Sequence, residues 1–84
     1  MSLSPKQSKV IHYIVMNQIG SNSYWIQSPR AIQRIQAELG ISRASLYRYI
    51  QIFKDKNILR STDESRTFYI DVTKITADEK TDKD

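Results

Sequence analysis

At 84 residues with no cysteine and one histidine, the chain has room for one small domain whose core must be hydrophobic packing alone, without disulfides or a thiolate metal site. A core of this size is only marginally stable by itself, which makes association into a homodimer an expectation from the outset. The net charge of +4 understates a bias: residues 1–76 carry eleven basic against five acidic side chains, a body that attracts polyanions. No apolar run is long enough for a membrane span and the start lacks the apolar stretch of a secretory signal, so an intracellular, cytoplasmic protein is expected.

The first start signal is Ser4-Pro5, a capping serine followed by a proline that is tolerated at the first helical position. Val10, Ile11, Ile14, Val15 and Ile19 then recur at three- and four-residue spacing, which predicts an amphipathic helix that Gly20 ends. Tyr13 and Met16 widen its apolar surface beyond one stripe and suggest a second buried face, against a partner subunit. Tyr24-Trp25-Ile26, inside a polar loop, reads as a very short strand in need of a partner. Trp25 is expected in the core or at the strand edge.

Ser28-Pro29 repeats the cap-plus-proline signal, and Ile32, Ile35 and Leu39 give the next helix, over 29–39, an apolar face. Gly40 suits the left-handed end of that helix, and Ser42 caps a third over 43–56. Leu46, Ile50 and Phe53, with Tyr49 on the same side, anchor it, and Asn57 stops it. Residues 58–72 then change period, with Phe68, Ile70 and Val72 alternating after a polar Asp63-Glu64-Ser65-Arg66 bend, the pattern of a hairpin. The fold class is therefore α+β, with a domain over 1–75. From Thr76 to Asp84 the chain has no aromatic or branched apolar residue, and it reads as a disordered charged tail.

Two amphipathic helices meeting at Gly40-Ile41-Ser42 form a helix-turn-helix pattern, and the second helix opens with Arg43, Ala44, Ser45, Tyr47 and Arg48, short or cationic side chains suited to a major groove. Residues 31–59 (AIQRIQAELGISRASLYRYIQIFKDKNIL) resemble the helix-turn-helix of bacterial and archaeal winged-helix regulators, and Leu3-Ser-Pro-Lys-Gln is similar to the first-helix start of many such domains. The resemblance spans roughly residues 3–73 and implies a winged helix-turn-helix, three helices with a small antiparallel β-hairpin wing. It implies that the third helix lies in the major groove of double-stranded DNA and that the hairpin touches phosphate or the adjacent minor groove. Arg48 is then the candidate to read guanine, Ser45 to contact base or phosphate, Arg43 to hold phosphate, and Tyr47 to meet sugar or a thymine methyl. Arg60 and Arg66 are the wing cations, while Asp63 and Glu64 depart from the pattern because phosphate repels them.

His12 is the sequence's single histidine, with no cysteine or carboxylate beside it in sequence to complete a ligand set, and reads as a surface or packed side chain, so no metal and no cofactor are expected. No phosphate loop, carboxylate pair or nucleophilic triad can be assembled, which argues against an enzyme. The leading expectation is a dimeric, sequence-specific transcriptional regulator, its dimer contact on the first helix or near Val72 to Ile75. A plasmid or virus origin-binding protein for replication, transfer or partition fits the same residues. A winged-helix module that docks a protein without nucleic acid is the third reading, and it gains if the third helix's arginines are tied to Glu38 or Asp55.

Overall fold

The computed structural model describes residues 3–20 and 22–75; the charged tail expected from Thr76 onward lies outside them. The elements run α1 (Pro5–Asn17), β1 (Tyr24–Ile26), α2 (Pro29–Leu39), α3 (Arg43–Asp55), β2 (Leu59–Ser61) and β3 (Thr67–Ile70), closed by a single helical turn over 72–75. The architecture is α+β: a helical layer and a three-stranded antiparallel sheet in the order β1-β3-β2. None of the described helices is long and apolar enough to cross a membrane.

Each long helix starts where a serine side chain accepts a backbone N–H: Ser4 from Gln7, Ser28 from Ala31 and Ser42 from Ser45. At α1 the exchange is reciprocal, since the Gln7 side chain accepts from the Ser4 N–H at 3.0 Å. Gly40 ends α2 in the left-handed region, φ 63 and ψ 39, and its N–H returns to the Gln36 carbonyl. Asn57 takes the same left-handed conformation just past α3.

β3 lies in the middle of the sheet, pairing Trp25 with Phe68 on one side and Leu59 with Ile70 on the other. That placement supplies the partner that the isolated β1 pattern required. Trp25, Phe68, Leu59 and Ile70 face the helices and join Val10, Ile11, Ile14, Ile32, Ile35, Leu46, Ile50 and Phe53 in one core. Burial of each such side chain contributes about 1.5–3 kcal/mol, the main force holding a chain of this size together. Tyr49 packs against this core from its edge, as the helical spacing required.

Two boundaries differ from the sequence expectation. α1 stops at Asn17, three residues before Gly20: Gln18 caps it, its N–H returning to the Ile14 carbonyl while its side chain bonds Trp25 and the Ala31 carbonyl. Val72 does not continue the buried alternation of Phe68 and Ile70: the Asp71 N–H bonds the Ile58 carbonyl, the chain turns helical, and Val72 is exposed while Ile75 is buried. On α1, Met16 is 78 % exposed and Tyr13 only half-buried, so the second apolar face is uncovered within one copy of the chain.

Candidate nucleic-acid interface

The turn at Gly40 and the cap at Ser42 set the direction in which α3 leaves α2, and Leu46, Ile50 and Phe53 fix its rotation by burial. The opposite side carries Ala44, Arg48 and Gln51 at four- and three-residue spacing, all exposed. This ridge is the outward line of the helix. Arg48 sits at its middle, without an ion-pair partner among the described residues.

Arg43 and Tyr47 flank the ridge as a unit, the guanidinium carbon 5.6 Å from the ring centroid. The stacking holds the cation at the exposed start of the helix. Neither Arg43 nor Arg48 is paired with Glu38 or Asp55 among the described residues; Asp55 instead accepts from the Gln51 amide at 3.2 Å. Ser45 is placed differently from the expectation of an exposed contact: it is half-buried, and its hydroxyl accepts from the Ser42 hydroxyl at 3.0 Å. Its first task is to complete the cap.

In the hairpin, Arg66 is exposed and sits at φ 63 just before β3, while its carbonyl accepts from the Gln27 N–H at 2.7 Å. The turn that carries Arg66 is thereby tied to the approach to α2. Arg60 pairs with Asp71 at 3.2 Å, with the carboxylate side chain only 15 % exposed, so this cation clamps the hairpin to the segment after β3. Asp71 also accepts from the Thr73 hydroxyl and N–H; these bonds hold its carboxyl below the usual carboxylate range, against the opposing effect of desolvation, with Arg60 adding to the same direction. Asp63 and Glu64 are exposed in the turn.

Gln51 is an exposed residue of this ridge that the sequence expectation did not include. Its amide has the donor and acceptor needed for adenine in the major groove, and the signal was available: it lies three residues from Arg48 on one helix face. Arg30 and Arg34 on α2 were also passed over; both are exposed, four residues apart, beside Ile26. Among the described residues, no group of three or more histidine, cysteine or carboxylate side chains is placed to hold a metal ion. No family model, curated protein or solved structure matches the chain.

Proposed function

We propose that the chain is a winged helix-turn-helix that binds double-stranded DNA sequence-specifically as a homodimer and regulates transcription. The observation that carries the reading is the outward ridge of α3, where Arg48 and Gln51 stand exposed in line and Ala44 leaves space before them. Such a ridge fits a major groove because a small side chain lets the helix approach, a guanidinium matches guanine O6 and N7, and an amide matches adenine N6 and N7. Arg43, held by Tyr47, supplies a phosphate contact at the groove edge, and Arg66 a contact at the hairpin turn. The α3 arginines are not engaged by Glu38 or Asp55 among the described residues, which favours nucleic acid over a protein-docking role.

The test is selection from a random-sequence DNA pool with wild type and Arg48→Ala, at near-physiological salt so that purely ionic binding is suppressed. The expected result is a discrete palindromic motif that loses information at one position in the variant. Arrays of such sites, in place of one operator, would assign the protein to replication, transfer or partition. Absence of any enriched motif, with binding that vanishes as salt rises, overturns sequence-specific recognition.

A further inference from the structure

Ile26 leaves 60 % of its surface in solvent, although its neighbour Trp25 is fully buried. Two open grooves meet at this residue and at Gln18. One, of about 700 Å³, is lined in part by the acidic residues Asp63 and Glu64. The other, of about 720 Å³, is lined in part by Arg30 and Arg34. None of these four charged groups has an ion-pair partner among the described residues.

A patch with an apolar centre, two acids on one side and two bases on the other is complementary to its own copy. A two-fold axis at Ile26 sets Ile26 against Ile26 and brings each carboxylate pair toward the partner's arginine pair, so that the favourable contact occurs twice. An apolar centre within a charged rim is also the usual anatomy of an interface. We propose that two copies of this chain associate through this patch. The carboxylates of the hairpin turn, which phosphate would repel, then act in self-recognition. The proposal gives the homodimer of the DNA-binding reading its contact, at a place other than α1 or the 72–75 turn; measured without DNA, it stands or falls separately.

The experiment is sedimentation equilibrium of the full chain without DNA, up to a concentration of about 1 mM. Wild type is expected to dimerise with a dissociation constant in roughly the micromolar range, given a small patch. Arg30→Glu with Arg34→Glu makes both sides acidic, and Asp63→Lys with Glu64→Lys makes both basic, so each double variant alone is expected to dimerise at least about tenfold more weakly. Mixed in equal amounts they are expected to form a heterodimer, because acid then faces base at both contacts; its formation also shows that both variants fold. Ile26→Lys, at an exposed position, is expected to weaken the wild-type dimer similarly. A wild type that stays monomeric at about 1 mM overturns the proposal. So does a mixture that remains monomeric while both variants keep the wild-type circular dichroism and melting transition. Loss of DNA binding by the Arg30, Arg34 variant with unchanged dimerisation would likewise overturn it and assign those arginines to phosphate.

Discussion

The Trp25 indole N–H donates to the Gln18 side-chain oxygen at 2.9 Å, and the Gln18 amide nitrogen donates in turn to the Ala31 carbonyl at 3.0 Å. One side chain just beyond α1 therefore ties β1 and α2 to it. Gln18→Leu keeps the approximate volume but leaves the fully buried Trp25 without its acceptor, a loss of about 1–3 kcal/mol. Urea denaturation should show a lower midpoint with an unchanged slope; a wild-type midpoint would refute the bridging role.

Gly40 occupies a left-handed conformation with nothing within 4 Å of where a Cβ would lie, so the cost of a side chain there is backbone strain alone. Gly40→Ala is expected to lose about 1–2 kcal/mol, and Gly40→Asn less, since asparagine tolerates this region. In a domain of this size each kcal/mol lowers Tm by about 4–8 °C, which thermal unfolding of the pair of variants resolves. Equal melting of both variants and wild type would contradict the argument.

Arg66 holds the same φ of 63 with a full side chain, at an exposed turn. Arg66→Gly relieves strain of about 1 kcal/mol, partly offset by the extra chain entropy of glycine, so stability should hold or rise. DNA affinity should nevertheless fall, and the slope of log affinity against log salt should drop by about 1 if the guanidinium neutralises one phosphate. Unchanged affinity and slope would remove Arg66 from the interface.

Arg43 and Gln51 should separate by the kind of loss they cause. Arg43→Ala is expected to weaken binding to all sequences alike and to lower the salt slope by about 1. Gln51→Ala should keep the slope while relaxing preference at a single base position, by about 1–3 kcal/mol. Competition titrations with the selected site and its single-base variants would distinguish the two patterns, and a uniform loss for Gln51→Ala would rule out base reading.

Asp71 is held below the ordinary carboxylate range by the Thr73 hydroxyl and N–H and by Arg60. Because its folded value is the lower one, its stabilising contribution is complete above the unfolded carboxylate range and is lost as pH falls through that range to the lowered folded value. Asp71→Asn should therefore lower Tm near neutral pH and flatten the acid limb of the Tm profile. A variant whose acid limb parallels that of wild type would place the acid sensitivity elsewhere.

The helix starts were legible because their determinants are local. Ser4, Ser28 and Ser42 each accept from the N–H three residues on, and apolar spacing marks the buried face regardless of what covers it. Gly40 was legible for the same reason, and so was the division of two tyrosines two residues apart into a half-buried Tyr49 and an exposed Tyr47. The exposure of Arg48 followed once the buried side of α3 was known. Tertiary structure alone decided the partner of β1, the early end of α1 and the turning out of Val72, since each depends on where a distant segment lies. The bonds of Gln18 reach seven and thirteen residues along the chain, and the Arg60–Asp71 pair spans eleven. The same holds for the charged grooves beside Ile26, whose bases come from α2 and whose acids come from the turn between β2 and β3. A pattern of single residues encodes hydrogen bonds within a helical turn and the side on which apolar atoms leave water; which polar group meets which across the fold is set only when the core closes and fixes their distances.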